Sequence, residues 1–509
     1  MYDEKKLHPL TLITDAYNRL VSFVIPILFF AFSSSRLEGL GLILTLLFFT
    51  IFGLVYLVDV LKFIRTSYWI DNNRFVVKSG LFIQKEKDVQ ISRIQSIDYS
   101  ENLIHRVFNV TKIEIKTPGK GIALDALSKE NALKLANQLH YLKETQREGF
   151  SQSAQGMSGK QIDRHKGFSL QEEGVTKTVY AMRLVDILKM NLMGGSILKG
   201  LIVLVGAVNV FEELISDALF DQAGTIISQT SVVSQLIIVG LLFIILYVVG
   251  SVISVIKNFD YKVELTKNHL TIEKGLLEVK SQTVALANIQ SVWEEQNWLQ
   301  KLFGYTTFSV GITSDEEAAK KDDTGENNEK GKIILLPLIK KKQLASLRAE
   351  IVPHFNFLPT QQVVPIRSLR RFVQWPLLFW ISLTLLASYF LWPLAWTIGA
   401  AGSLVILLYG YRSYKKTGYA LSKEEVTFQL PKLISTETIY LRKDRILNLT
   451  VKQNPLLKRS RLGKVEVFSA LGDSAQNKKV SFIEEADCER LFDWFLVNER
   501  SVEPWDQKT

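Results

Sequence analysis

One sequence pattern occurs three times in the chain, each time directly after a long hydrophobic stretch. Each copy has an anchor residue, a turn residue twelve positions later, and an isoleucine 14 or 15 positions after the turn. Unrelated segments do not keep such a register, so the pattern indicates an internally repeated module. The anchor, turn and isoleucine positions are Tyr68, Gly80 and Ile94; Val263, Gly275 and Ile289; and Tyr419, Pro431 and Ile446.

Six apolar stretches occur in three pairs, and one pair precedes each copy of the repeat. A helix needs about 20 residues to cross the hydrocarbon core, so four stretches are long enough, and the first and third need flanking residues. Runs such as 40–49 lack the polar face of a soluble helix. The pattern predicts a polytopic membrane protein with about six transmembrane helices in three hairpins. The stretches are 20–34 and 40–61, 196–211 and 232–256, and 372–391 and 393–411.

The distribution of basic residues predicts how these hairpins are oriented. The loop inside the first pair holds one basic residue, Arg36, and the loop inside the second pair holds none. The outer flanks of all three pairs are rich in lysine and arginine. Because basic residues accumulate on the cytoplasmic side of membrane helices, we expect both termini and all three modules to be cytoplasmic.

Within each copy, short strands are followed by one helix. Segments 68–78 and 261–274 alternate apolar and polar residues around a polar turn, which indicates a β-hairpin. Positive φ is expected at Gly80 and Gly275, whereas Pro431 predicts a different turn in the third copy. Each module is therefore predicted to be a small β-barrel closed by a C-terminal helix. The predicted helices are 128–140, 340–351 and 484–496.

These elements divide the chain into alternating membrane and cytoplasmic segments. The polar stretch 146–180 is typical of a flexible linker, and the charged stretch 314–332 of a disordered insert in the second module. The remaining predicted segments are the transmembrane hairpins 15–65, 181–257 and 366–412 and the modules 66–145, 258–355 and 413–499.

Short motifs recur at fixed places in the copies, and they suggest a family. They are Gly80-Leu-Phe and Gly275-Leu-Leu, Ile94-Gln-Ser and Ile289-Gln-Ser, and Val107-Phe-Asn, Leu302-Phe-Gly and Arg461-Leu-Gly. Together with the preceding helices, they resemble the bacterial pleckstrin-homology-like (PH-like) transmembrane proteins of the YdbS/YdbT type, over residues 15–500. The resemblance implies three PH-like modules and multi-pass insertion in the bacterial inner (cytoplasmic) membrane. It implies no known reaction and no cofactor. We expect structural roles in the repeat for Gly80, Gly275, Ile94, Ile289, Ile446, Phe108 and Phe303.

The sequence contains little that points to catalysis. Its six histidines are scattered, and neither a nucleophile elbow nor a phosphate-binding loop is present. The single cysteine, Cys488, excludes an intramolecular disulfide and a cysteine-based zinc site. Asp59 and Lys62 are interpreted as an interfacial pair, and Glu212 and Glu213 as interfacial acids. We therefore expect no enzymatic activity.

Basic charge in the third module is the strongest functional signal. Residues 412–466 hold 13 lysine and arginine against 5 aspartate and glutamate residues, within a chain of net charge +10. Such clusters favour contact with anionic lipid headgroups or with a partner, although positive charge beside a helix end also follows from membrane orientation alone. Nucleic-acid binding is disfavoured, because exposed aromatics are not interleaved with the basic residues. The predicted contact residues are Lys452, Lys458, Arg459, Arg461, Lys464, Lys340, Lys341 and Lys342.

These observations favour a non-enzymatic membrane-anchored scaffold or binding protein. By its location, it would support cell-envelope integrity or defence against membrane-active peptides. A shorter PH-like membrane paralogue with one module is a candidate partner beside the lipid bilayer. The alternative is a transporter or lipid-handling protein, in which Asn209, Glu212 and Glu213 would serve a path through the helices.

Overall fold

The computed structural model describes residues 4–13, 38–154, 177–194, 231–313 and 331–496, except 72, 82, 118–120, 267–268, 363, 391–394, 433 and 473. The chain divides into two compact units, one ending at Ala285 and the other beginning at Leu286, apart from a few residues of the insert. This boundary lies inside the predicted module 258–355. The boundary between the compact units therefore does not coincide with a boundary between sequence repeats.

The first repeat begins with a short strand that precedes its long helix. The pairing of Lys5 with Tyr68 places this strand beside the first strand after the helix. The elements are β1 (Lys5–Lys6), α1 (Glu38–Arg65), β2 (Ser67–Asp71), β3 (Arg74–Ser79), β4 (Lys85–Gln90), β5 (Ser96–Glu101), α2 (Leu103–Val107), β6 (Val110–Lys116), β7 (Ile122–Ser128) and α3 (Lys129–Ala154). Helix α3 starts where the sequence predicts a helix but continues into the predicted linker.

The second repeat follows the same order. Its elements are β8 (Lys177–Ala181), α4 (Leu184–Gly194), α5 (Val232–Asn258), β9 (Lys262–Thr266), β10 (His269–Lys274), β11 (Val279–Ala285), β12 (Ile289–Asn297), α6 (Trp298–Leu302), β13 (Tyr305–Ile312), β14 (Lys332–Lys340) and α7 (Lys341–Ile351). Strand β8 lies within the predicted linker 146–180 and pairs with β9. Most of the predicted insert lies outside the described residues.

The third repeat has two long helices between its first two strands. Its elements are β15 (Gln361–Gln362), α8 (Leu369–Phe390), α9 (Ala395–Lys416), β16 (Gly418–Leu421), β17 (Glu425–Pro431), β18 (Ser435–Arg442), β19 (Ile446–Lys452), α10 (Pro455–Arg459), β20 (Leu462–Leu471), β21 (Ser474–Glu484) and α11 (Glu485–Leu496). Short 3₁₀ turns lie at Ile91–Arg93, Leu286–Asn288, Ile366–Ser368 and Lys443–Arg445. Three of them directly precede the second sheet of a module.

Two segments of the described chain are long and apolar enough to cross a membrane, Gly240–Asn258 and Ile366–Tyr389. The predicted count of six is therefore not shown. Helices α1 and α9 cover most of the predicted stretches 40–61 and 393–411 but are not among these two segments, and the stretches 20–34 and 196–211 lie outside the described residues. Helices α8 and α9 pack closely: the Trp380 indole Nε1 donates to the Gly399 carbonyl at 3.0 Å. Near the end of α1, the Lys62 ammonium lies 3.7 Å from the Asp59 carboxylate, so the two residues form an ion pair.

The strands form four open antiparallel sheets instead of the predicted closed barrels. Their orders are β1-β2-β3-β4, β7-β6-β5-β11-β10-β9-β8, β14-β13-β12-β18-β17-β16-β15 and β19-β20-β21. The barrel prediction is wrong because β5 and β12, the first strands of their second sheets, pair with the following module. A strand edge used in this way cannot also close a barrel within its own module.

The cores of modules 1 and 3 lie between their two sheets and the C-terminal helix. In module 1, Phe75 from β3 and Ile113 from β6 share a cluster with Leu139 from α3. In module 3, Phe428 from β17 and Val465 from β20 share a cluster with Leu491 from α11. The period-two pattern of the strands thus buries one face of each sheet.

Backbone conformation repeats with the sequence. Gly80 and Gly275 have φ of 122° and 115°, the positive values expected at this turn, whereas β17 continues through Pro431. After each five-residue helix, one residue adopts the left-handed conformation: Asn109, Gly304 and Arg461, with φ of 53°, 72° and 50°. Each lies 15 residues after the isoleucine of its repeat. Arg461, and not Gly463, is therefore the residue equivalent to Asn109 and Gly304, so the motif alignment of the third copy is wrong by two residues. The end of a helix favours the left-handed conformation even without glycine.

Candidate functional site

Two strand pairs join the modules in series, and we call them junction 1–2 and junction 2–3. In junction 2–3, seven residues of β12 pair with seven residues of β18, from Ser291↔Leu441 to Asn297↔Ser435. In junction 1–2, three residues of β5 pair with β11, from Tyr99↔Ser281 to Glu101↔Val279. Main-chain pairing at a sheet edge is a common mode of recognition between protein segments.

The two junctions use the same register. Glu101 and Gln296 each lie seven residues after the isoleucine of their repeat. Glu101 pairs with Val279, and Gln296 pairs with the equivalent residue of the next module, Thr436. Register in a sheet is set by which side chains must face the core. The same strand pairing, in the same register, therefore joins module 1 to module 2 and module 2 to module 3.

Buried charges reinforce junction 2–3. Glu437 on β18 is 2% exposed and lies within 3.6 Å of Lys332, 3.2 Å of Lys432 and 3.5 Å of Lys478. Glu295 on β12 lies 2.8 Å from Lys332 and 2.9 Å from Lys432. The Lys432 side chain thus bridges carboxylates of two modules. Buried carboxylates are tolerated only when they are paired in this way.

The same network surrounds an aromatic ring. Trp293 is 1% exposed, and the ammonium groups of Lys332 and Lys478 lie 5.0 and 5.8 Å from its ring centre. Both distances are within the range of cation–π attraction. The Trp293 side chain also contributes to the core of module 3, although it belongs to β12 of module 2. Junction 2–3 therefore shares a hydrophobic core as well as a sheet.

Acidification is expected to weaken junction 2–3 through Glu295. Burial alone would raise the pKa of this carboxyl, but Lys332 and Lys432 lower it from 4.5 to about 2. A carboxyl with a lowered folded-state pKa stabilises fully above about pH 4.5 and loses this contribution as the pH falls towards 2. The measurement is the difference in unfolding free energy between the wild type and Glu295→Gln across this range. A difference that does not change with pH would contradict the assignment.

Junction 1–2 has a different reinforcement. The Asp98 carboxylate accepts the backbone N–H of Thr283 at 3.1 Å and lies 2.6 Å from the Lys116 ammonium. Burial raises the pKa of Asp98, and the Lys116 charge opposes this shift. The Arg106 guanidinium donates to the Leu276 carbonyl at 3.2 Å. The short strand pair is thus extended at both ends by side-chain bonds to the backbone.

A basic cleft lies where α8 and α9 meet module 3. Its volume is about 810 Å³. Arg371 donates to the Leu456 carbonyl and to the Ser460 hydroxyl, both at 2.9 Å, and Arg367 lies 2.9 Å from Glu484. Within the described part of the chain, no ion pair or hydrogen bond involves the Arg370 side chain. The cleft is lined by Ile366, Arg367, Leu369, Arg370, Arg371, Val373, Leu407, Tyr411 and Ser460.

The structure separates the predicted contact residues into three groups. Lys458, Arg459 and Arg461 are exposed and flank Ser460, a lining residue of the cleft. Lys452 and Lys464 instead bind the buried Glu466 at 2.8 and 3.0 Å. Their hydrogen bonds and that of Asn477 lower the pKa of Glu466 to about 2. The third group is exposed: Lys340 is the last residue of β14, and Lys341 and Lys342 begin helix α7.

The repeat residues also differ in their positions. Ile94, Ile289 and Ile446 are buried, whereas Phe108 and Phe303 are more than half exposed. In the sequence, Arg367, Arg370 and Arg371 are recognisable only as the basic flank of a predicted hairpin. The ion-pair network of Glu295 and Glu437 is not recognisable there. The signal for the cleft was present in the close spacing of the three arginines. The network had no local signal because its members come from four strands and a turn.

Comparisons with known proteins agree with the repeat. A family model described as "Bacterial PH domain" matches residues 21–143, 205–352 and 376–498. The chain is also 23% identical to the transmembrane protein YdbT of Bacillus subtilis (strain 168) over 516 residues, covering 97% of this chain and 98% of YdbT. These matches confirm the family indicated by the motifs. The chain belongs to the bacterial PH domain family, with three PH domains in a membrane-associated protein.

Proposed function

We propose that the protein is a non-enzymatic, membrane-anchored scaffold whose three PH domains are joined in series to hold partners at the membrane. The observation that carries this proposal is the repeated junction, in which one register serves two module pairs. Sheet edges, a shared core and buried ion pairs are features of binding surfaces. No chemical step is needed to account for them.

We further propose six transmembrane helices in three hairpins, with the termini and PH domains in the cytoplasm of a bacterial cell. The strand that precedes the third hairpin supports this topology. Gln361 and Gln362 of β15 pair with Tyr419 and Gly418 of β16, so the chain leaves and re-enters the same sheet around α8 and α9. Both ends of a hairpin that starts and finishes in one sheet lie on one side of the membrane. The basic flanks make that side cytoplasmic.

The scaffold is tested by isolating the detergent-solubilised full chain from its own membranes and identifying what accompanies it. A protein partner in fixed ratio is expected. An eluate with lipid alone would contradict the scaffold.

A role in envelope integrity predicts that a deletion strain becomes sensitive to membrane-active peptides, and that the wild-type chain restores resistance. Unchanged sensitivity would contradict this physiological role and leave the scaffold itself untouched.

The basic cleft supports a second function, binding of anionic lipid headgroups. Three arginines, a tyrosine and a serine line an opening whose other lining residues are apolar. Arginine forms paired hydrogen bonds with phosphate, and apolar walls suit acyl chains. This arrangement favours lipid handling over transport of a soluble substrate. The residues proposed for a transport path, Asn209, Glu212 and Glu213, lie outside the described residues.

Replacing Arg370 with glutamine is expected to reduce phosphatidylglycerol binding about fivefold, since one basic group near an anionic surface contributes ~1 kcal/mol. The measurement is lipid retention by the full chain in nanodiscs of phosphatidylglycerol and phosphatidylcholine. Arg442→Gln is the matched control, because it removes the same charge from an exposed Arg442–Asp444 pair in the same module. Equal losses in both variants would show a net-charge effect and would contradict a specific cleft.

A further inference from the structure

One strand edge has no covering strand within the described part of the chain, unlike its two equivalents. Strands β5, β12 and β19 each begin the second sheet of their module, and the outer edges of β5 and β12 are covered by β11 and β18. Strand β19 pairs with β20 alone among the described strands. We call its other side the β19 edge. It is half of a junction of the kind that occurs twice elsewhere in the chain.

The orientation of the backbone groups at the β19 edge follows from the two complete junctions. The Ser100 and Glu295 carbonyls accept hydrogen bonds from threonines on the inner neighbouring strands, at 3.4 and 3.0 Å. In an antiparallel strand the N–H and C=O of one residue point to the same side, and successive residues alternate. The residues just before them, Tyr99 and Glu294, therefore direct their backbone groups towards the next module.

Val451 is the equivalent residue in the third module, because it also lies five positions after the isoleucine of its repeat. Its N–H and C=O consequently face the β19 edge, whereas those of Lys452 face β20. Two of the exposed side chains of β19 are apolar, Leu447 and Val451 with 60% and 37% exposure, and they lie beside the exposed Asn448 and Lys452. An uncovered edge with apolar side chains is prone to pairing, and proteins normally protect such edges with charge, proline or a covering segment.

In both complete junctions the covering strand, β11 or β18, is the third strand after the long helix of its repeat. Within the described chain, only β4 is such a strand without a partner on its outer side. The register of the junctions would place Lys85 of β4 opposite Lys452, since Ser100 pairs with Lys280 and Glu295 with Glu437 at this position. Like charges directly opposite each other destabilise a strand pair unless counter-charges bridge them, as Lys332 and Lys432 bridge Glu295 and Glu437. Lys452 already shares Glu466 with Lys464 and Lys479, so a second lysine opposite Lys452 would add an unbalanced positive charge. With Lys85, Glu86, Lys87 and Asp88, β4 is itself a charged, protected edge.

We propose that the β19 edge binds the corresponding strand of a PH-like module on another polypeptide, in antiparallel orientation and in the register of the two internal junctions. The residue opposite Lys452 in that strand is acidic or neutral. This inference rests on the scaffold function and specifies its partner: a fourth module that extends the series from its third member. A second copy of this chain does not meet the requirement, because of Lys85.

The first part of the experiment places a photo-crosslinking benzoylphenylalanine at Leu447 in the full-length chain in its own membranes. The expected adduct contains a peptide from the third strand of a PH-like module of a different protein. An adduct with residues 85–90 of this chain would show a second copy in place of another polypeptide. An adduct with lipid only, with another segment of this chain or with an unrelated protein would equally overturn the proposal.

The second part compares Val451→Pro with Val451→Ala. Proline removes one of the N–H groups that face the edge and leaves the β19–β20 ladder intact, whereas alanine shortens the side chain and keeps the N–H. We expect Val451→Pro to lower partner recovery about tenfold or more, a factor that equals ~1.4 kcal/mol, and Val451→Ala to retain most of it. Thermal unfolding of both variants reports whether the module remains folded.

The outcomes separate this proposal from the scaffold itself. If a protein partner accompanies the folded Val451→Pro variant as well as the wild type, the β19 site is wrong and the scaffold stands. If no protein partner accompanies the wild type, the proposed scaffold function itself is contradicted. If Val451→Pro does not fold, the adduct at Leu447 alone decides the proposal.

Discussion

Replacing Glu437 with alanine is expected to lower the free energy of unfolding of the second compact unit by about 3–5 kcal/mol, as when one member of a buried ion network is removed. The variant would leave three ammonium groups at junction 2–3, those of Lys332, Lys432 and Lys478, with Glu295 as the remaining carboxylate close to two of them. The excess positive charge would be held beside the buried Trp293 ring. We expect strands β12 and β18 to separate at lower denaturant concentration.

The measurement is denaturant unfolding of the detergent-solubilised chain, followed by tryptophan fluorescence. Asp444→Ala is the control, because Asp444 is half exposed and its pairs with Arg442 and Arg445 contribute about 0–1 kcal/mol. The double variant Glu437→Ala, Lys478→Met removes one of the uncompensated charges and should recover part of the loss. Equal effects of Glu437→Ala and Asp444→Ala would contradict a buried network at the junction.

Replacing Gly275 with asparagine is expected to cost about 2–3 kcal/mol or more, because the backbone there is accessible only to glycine and any side chain would clash. Its φ is 115°, and a Cβ atom would lie 1.9 Å from the Glu278 carbonyl oxygen. The turn is also tied to the end of α5: the Gly275 and Leu276 N–H groups donate to the carbonyls of Phe259 and Ile256. The substitution should therefore loosen module 2 from helix α5.

The control is the same substitution at Gly304, which also has positive φ but has no atom within 4 Å of an added Cβ. The equivalent residues of the other modules are Asn109 and Arg461, so asparagine is compatible with this backbone. We expect Gly304→Asn to cost less than about 1 kcal/mol. Thermal unfolding of both variants is the measurement, and similar midpoints would contradict the account of the Gly275 turn.

The composition of the candidate site could be predicted only in part. The positive charge of the third module is evident from its lysine and arginine content, but of the residues around Lys458, Arg459 and Arg461 only their neighbour Ser460 lines the basic cleft. Lys452 and Lys464 were also predicted to contact lipid or a partner, but they bind Glu466, which is buried. Sequence shows how many charges a segment carries, whereas the pairing of each charge depends on side chains brought together by neighbouring strands.

By itself, the sequence determined the repeat, the order of helices and strands within it, the turns at Gly80 and Gly275, and the family. These features depend on local periodicity and on backbone conformations that few residues can adopt. Tertiary structure alone decided that β5 and β12 join the next module instead of closing a barrel, and that no other described strand than β20 pairs with β19. Strand pairing uses backbone N–H and C=O groups that every residue has, so its partners carry no signature in the amino-acid sequence.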